Sequence, residues 1–214
     1  MYLSRLILNP RTRRVQRELA NPYELHRTLM AAFPEDLPAG ERILFRVDLD
    51  ARTGVPSVLL QSRTRPDWAW LGNPGARDYF VQAPETKPFD LTFSPGQTFA
   101  FRLRANPTVK HAVPDQKQGR RDPLYREEEQ RVWLTRKGER NGFQIRRVTL
   151  IQEGNQLAWK ARKNGDKCKL THFAVRFDGL LEVTDPDALW EAVQTGIGSA
   201  KSFGFGLLSL APAR

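Results

Sequence analysis

The chain has 214 residues, of which 40% are hydrophobic, enough for packed cores and too many for wholesale disorder. Lys and Arg outnumber Asp and Glu by 34 to 24, and the resulting net charge of +10 points to a polyanionic partner, nucleic acid or an acidic membrane surface. No apolar run approaches the roughly 20 residues of a spanning helix. The opening MYLSRLILNPRTRR lacks a signal-peptide core and cleavage site, and the lone Cys168 excludes an internal disulfide and argues against a thiol-bound metal. These features favour nucleic acid over a membrane and imply a cytoplasmic location.

Residues 2–8 read as a short apolar strand, followed by a basic turn. Asn21-Pro22-Tyr23-Glu24 then opens a helix. Asn21 can cap it, Pro22 suits the first helical position, and Glu24 sits where a capping-box acid would. Leu25, Leu29, Ala32 and Phe33 form its apolar stripe, and Pro34 ends it. Ile43, Phe45, Val47 and Leu49 alternate with Leu44, Arg46, Asp48 and Asp50, the pattern of a half-buried strand. A strand over 57–64, an irregular or helical piece holding Trp68 and Trp70, and a weak strand before Lys87 complete the first half. Pro84, Pro88 and Pro95-Gly96 punctuate a linker.

In the second half, Phe99, Phe101, Leu103 and Ala105 alternate with Arg102 and Arg104, giving one apolar and one basic face. Residues 110–121 read as a flexible basic loop and 122–140 as a charged helix. Strands are expected over 143–152 and 156–163, joined at Gly154-Asn155, and over 170–183 with a break at Asp178-Gly179. Asp185-Pro186 caps a short helix that stops at Gly196, and 207–210 is the last strand. Each half thus approximates β-α-β-β-α-β. The expected class is α+β, with tandem ferredoxin-like (RRM-like) domains over residues 1–86 and 96–214.

The charge is clustered. Residues 1–27 carry six basic side chains against two acidic, 101–121 six against one, and 160–169 five against one. Three such stretches suggest a shared anion-binding face, the alternative for any one of them being a solvated surface. The run GIGSAKSFGFG places Gly196, Gly198, Gly204 and Gly206 within eleven residues. Backbone N–H groups in such a loop can cradle phosphate, and Lys201 adds charge. The alternative is a tight connection packed against the sheet, and the two roles are compatible.

GIGSAKSFGFG, with LLSLAP directly after it, closely resembles the C-terminal glycine-rich motif of the repeat-associated RNA-binding proteins of CRISPR systems (the RAMP superfamily). NPYELHRTL, about twenty residues in, narrows the resemblance to the CasE family, the precursor-crRNA endoribonucleases of the type I-E Cascade complex. FRLRANPTVK and LLEVTDPDAL resemble the same family, so the likeness runs from end to end. It implies an enzyme that recognises the stem-loop of a CRISPR repeat RNA and cuts at the 3′ base of the stem. The implied products are a 5′-hydroxyl and a cyclic phosphate or 3′-phosphate. The enzyme would keep its hairpin product and join the other Cascade subunits, as a monomer when free.

RNA can be cut without metal when its own 2′-hydroxyl attacks the neighbouring phosphorus. The protein must then move two protons and stabilise charge on the phosphorane. Histidine suits that work. The chain shows no paired-carboxylate motif for two metals and no Cys/His cluster, so neither metal nor cofactor is expected. His26 lies three residues after Tyr23, on the same side of the helix, and both are expected in its first turn, where an anion is favoured. The resemblance assigns His26 as the principal general acid/base, with Tyr23 orienting nearby. His26 also falls within the apolar arc of its helix, so a half-buried packing role is the alternative. His111 is expected to meet RNA or solvent and His172 to be structural. Candidate RNA contacts are Arg27, Arg102, Arg104, Lys110, Arg120, Arg121, Lys160, Arg162, Lys163, Gly198, Lys201 and Gly204. Two rival readings are a non-catalytic RNA-binding subunit of the same superfamily and a general binder of structured RNA.

Overall fold

The computed structural model describes residues 1–72, 78–112, 119–161 and 167–213. The first sheet contains β1 (Tyr2–Ile7), β2 (Leu44–Leu49), β3 (Pro56–Ser62) and β4 (Glu85–Pro88), in the order β2-β3-β1-β4. The second contains β5 (Thr98–Ala105), β8 (Phe143–Ala161), β9 (Lys167–Val183) and β10 (Leu208–Pro212), in the order β10-β5-β9-β8. All pairings are antiparallel. In both sheets the first strand of the half lies between the last and the third, which is the ferredoxin-like order expected from the element sequence.

The details depart from expectation, each for an identifiable physical reason. The basic turn after β1 is a helix, α1 (Arg13–Ala20), because Thr12 caps it by accepting from the Val15 amide. It runs directly into α2 (Pro22–Met30). Asn21 does not cap α2. Its amide instead pairs with the Trp159 backbone, donating Nδ2 to the carbonyl (3.2 Å) and accepting from the amide at Oδ1 (3.1 Å). The irregular or helical piece after β3 contains a 3-10 turn at Ala69–Gly72. The basic loop is a hairpin of β6 (Thr108–His111) and β7 (Arg120–Pro123), and the charged helix, α3, is confined to Glu127–Arg140.

The two strands expected to join at Gly154 are one strand, β8. Its register shifts at Ile145/Arg147 and Gln152/Gly154 absorb the irregularity that reads as a turn. β9 is likewise unbroken through Gly179, where a side chain would collide with the Arg147 carbonyl across the bulge. Together β8 and β9 extend past β5 as a two-stranded ribbon.

Each sheet covers its own core. In the first half Leu6, Leu8, Phe45, Val58 and Leu60 meet Val15, Leu25 and Leu29 from α1 and α2. A buried Glu18 ties the two helices together. It accepts from Arg14 Nε (2.9 Å) and Thr28 Oγ1 (2.9 Å), and from the Tyr79 hydroxyl. In the second half Phe101, Leu103, Val175 and Phe177 meet Trp133 and Leu134 of α3 and Leu189 and Val193 of α4 (Pro186–Thr195).

The back of β2 is not a solvated polar face. Leu44 and Arg46 are buried there, and Arg46 donates Nη1 to Ser209 Oγ of β10 at 2.8 Å. Gln61 Nε2 reaches the Val193 carbonyl at 2.5 Å. These contacts lock the first sheet onto the second half of the chain. They explain why alternation in β2 gives two buried faces instead of one. Among the described residues, no helix is long and apolar enough to cross a membrane.

Candidate active site and RNA interface

The two sequence features farthest apart meet in space. The glycine-rich run lies against α2 and β2, beside His26. It starts at Gly196, where Ile197 donates to the Gly206 carbonyl (2.8 Å), and closes where Gly206 donates to the Arg104 carbonyl (2.8 Å). Between these anchors sits a 3-10 turn, Lys201–Phe203, entered through Ala200 at φ 61 and left through Gly204 at φ 79. Two glycines have roles a side chain would destroy. A Cβ at Gly196 would fall 2.8 Å from Leu44, and one at Gly204 would fall 3.1 Å from the ring of Phe45.

The run therefore divides by function. Gly204 packs on Phe45 and its amide donates to the Lys201 carbonyl, so it closes the structure and its amide is already engaged. The amides of Gly198, Ser199 and Ala200 have no hydrogen-bond partner among the described residues, and these residues line the cleft beside His26. That stretch keeps the free donors a phosphate needs.

His26 stands at the fifth position of α2, in its second turn, since Pro22 is the first residue. Tyr23 alone of the pair is in the first turn. The imidazole stacks on Phe45, with ring centroids 6.0 Å apart and planes 9° from parallel. Its Nδ1 is buried without a hydrogen-bond partner among the described residues. Burial lowers its pKa from the ordinary 6.5, so the neutral ring is favoured at neutral pH. One side of the ring borders a cleft of about 480 Å³ shared with Arg42, Lys201 and the Gly198–Ser202 stretch. Tyr23 packs its ring against Phe203 at 6.0 Å, within a small core with Ala158, Ala174 and Phe205. The β8–β9 ribbon thus supports α2 from the side on which Asn21 grips Trp159.

The other candidates fall into distinct places. Arg27 is exposed and pairs with Glu24 at 3.1 Å. Lys110 and Arg121 face each other in register on the β6–β7 hairpin, both exposed, and Arg120 pairs with Asp122 at 2.7 Å. The expected basic face of β5 is instead ion-paired. Arg102 donates to Asp178 at 2.6 Å, and Arg104 donates to Glu153 at 2.5 Å with its guanidinium 4.7 Å from the ring centre of Phe205. Asp178 on the adjacent β9 and Glu153 on β8, one strand further out, neutralise both charges, a pairing that a one-dimensional charge count does not show. Lys160 is the last residue but one of β8, but its side chain lies outside the described residues, as do Arg162 and Lys163 altogether.

His172 packs against Phe203 at 4.6 Å and meets Asn106 at 3.2 Å, and His111 is exposed near Asp122. Trp68, Trp70 and Trp133 are packed into the two cores. Among the described residues, no three His, Cys, Asp or Glu side chains are grouped to hold a metal ion. Sequence reasoning missed Phe45, on which His26 stacks, and the cations Arg42 and Lys137. Arg42 is a single charge just before a strand, and Lys137 one of many charges on a helix, so neither stands out from its neighbours.

The family model described as "CRISPR associated protein" matches residues 1–212. The CRISPR-associated endoribonuclease Cse3 of Thermus thermophilus is 38% identical over 221 residues, covering 99% of this chain and 100% of the relative. The CRISPR system Cascade subunit CasE of Escherichia coli K12 is 36% identical over 220 residues, with 99% and 100% covered. Among solved structures, a CRISPR endoribonuclease Cse3 bound to a 19 nt RNA aligns with a TM-score of 0.85 at 37% identity, over 99% of this chain and 100% of that one. With two relatives matched end to end and the glycine run lying beside His26, this chain belongs to the CasE family of CRISPR associated proteins.

Proposed function

We propose that the protein is a metal-independent endoribonuclease that binds the stem-loop of CRISPR repeat RNA, cuts it at the 3′ base of the stem, and keeps the product as a Cascade subunit in the cytoplasm. The observation that carries the reading is the placement of a half-buried, neutral-leaning His26 in a cleft lined with cations and free backbone amides. Similarity to relatives named as an endoribonuclease and as a Cascade subunit supports the substrate and the assembly.

The chemistry follows from the geometry. The neutral imidazole of His26 takes the proton of the 2′-hydroxyl, whose oxygen attacks the adjacent phosphorus. Charge developing on the phosphorane oxygens is met by Lys201 and by the amides of Gly198–Ala200. A proton returns to the departing 5′-oxygen, leaving a 5′-hydroxyl and a 2′,3′-cyclic phosphate. Tyr23 orients the reacting segment from the first turn of the same helix. The first domain, residues 1–86, supplies the histidine. The second, residues 96–214, supplies the glycine loop and the basic hairpin, where Lys110, Arg120 and Arg121 contact the phosphates of the stem. Arg27, Lys160, Arg162 and Lys163 add contacts near the cut. Cleavage of a repeat hairpin in EDTA by wild type and by His26→Ala tests the proposal.

A further inference from the structure

Three cations around the His26 cleft have no ion-pair partner among the described residues. Arg42, just ahead of β2, and Lys201 of the glycine loop line the cleft itself. Lys137 of α3 stands beyond Lys201. Its ammonium lies over the ring of Trp133 at 5.7 Å, and that ring bears on Gly198, where a Cβ would come within 3.3 Å. The one carboxylate bordering the cleft, Glu41, is turned away. Its oxygens accept from the Arg63 amide (2.8 Å) and Thr64 Oγ1 (3.1 Å).

Burial first, and the repulsion of nearby cations second, lower the ammonium pKa of both lysines. Lys201 is affected by Arg42 and Lys137, and Lys137 by Arg140 and Arg121. Arg42 and Lys201 in the cleft, and Lys137 behind it on the Trp133 ring that abuts Gly198, thus flank the glycine loop. Partly desolvated like charges without a counter-ion favour a bound anion.

The cleft is small. Its volume, about 480 Å³, suits a small-molecule ligand or a short stretch of single strand rather than a helix. We infer that Arg42, Lys201 and Lys137 form a phosphate-binding track for the unpaired RNA just 3′ of the scissile phosphate. This rests on the proposed cut at the 3′ base of the stem, which leaves an unpaired strand on that side. The track would hold the leaving strand in line while His26 acts, and its phosphates would supply the missing counter-charge.

Three hairpin RNAs with a 2′-deoxy residue at the cut site test the inference. One ends at the first nucleotide past the cut, one carries several more nucleotides at the 3′ end, and one carries them at the 5′ end. Binding is measured against salt concentration for wild type, Arg42→Ala and Lys137→Ala. Wild type should bind the 3′-extended RNA more tightly and with a steeper salt dependence than the truncated RNA. Lys137→Ala should lose part of that gain while binding the truncated RNA as wild type does, and Arg42→Ala should lose more on the 3′-extended RNA than on the truncated one, with the slope falling by about 0.7 per phosphate contact removed. An undiminished gain in both variants overturns the track. So does an equal loss on the truncated RNA, or a loss confined to the 5′-extended RNA. Cutting of the 2′-deoxy RNA would instead refute the proposed 2′-hydroxyl chemistry, independently of the affinities.

Discussion

Replacing Gly204 by alanine should reduce stability and leave RNA affinity alone. The residue sits at φ 79, and a Cβ there would lie 3.1 Å from the Phe45 ring, itself fully buried. A side chain in left-handed backbone costs about 1–2 kcal/mol. Forcing a methyl group against a packed core adds about 1–3 kcal/mol. The expected loss is therefore about 2–5 kcal/mol, or a drop in Tm of about 4–20 °C for a chain of this size.

Gly54→Ala is the internal control, because Gly54 has φ 68 and nothing lies within 4 Å of the place its new methyl group would take. It should cost only the backbone part, about 1–2 kcal/mol. Urea unfolding of both variants separates strain from collision. RNA affinity is measured well below the Tm on an uncleavable hairpin. A Gly204→Ala protein with wild-type stability and weakened RNA binding would refute the packing role assigned to this residue.

Two further outcomes follow from buried polar groups. The pH dependence of kcat/KM should show an acidic limb with its midpoint below 6.5, because burial lowers the His26 pKa and a general base works in its neutral form; the rate rises as pH climbs through that value and is flat above it. A rate that falls as pH rises through the same range would contradict the base role. Glu18→Ala should destabilise the fold by about 3–5 kcal/mol, toward the lower end since Arg14 is 37% exposed, with Glu18→Gln recovering part of the loss. A loss under about 1 kcal/mol in urea unfolding would show that the Tyr79 and Thr28 hydroxyls find other partners.

Strand and helix order was legible because it depends on local patterns. The Pro22 helix start, the alternation in β5 and the Asp185 cap are all present, and Asp185 does accept from the amides of Asp187 and Ala188. What failed was decided by distant partners. Asn21 looks like a cap, but the Trp159 backbone claims its amide from 138 residues away. Arg102 and Arg104 look like a basic face, but Asp178 and Glu153 arrive on strands paired later in the chain. Arg46 looks solvated until β10 covers it. The glycine run was legible from its residues as a phosphate cradle, and His26 as the acid/base only through motif resemblance. Their meeting, and the Phe45 ring between them, required the packing of the first sheet on the second half.

Metal-free RNA cleavage by His26 in the glycine-loop cleft is read out by single-turnover cleavage of a repeat hairpin in excess EDTA, with wild type and His26→Ala compared at matched, saturating protein. Wild type should cut at full rate, and His26→Ala should be slower by about 10²–10⁴, the usual contribution of a general acid or base, while still binding the RNA. Cleavage by His26→Ala at the wild-type rate, or loss of wild-type cleavage on adding EDTA, would contradict it.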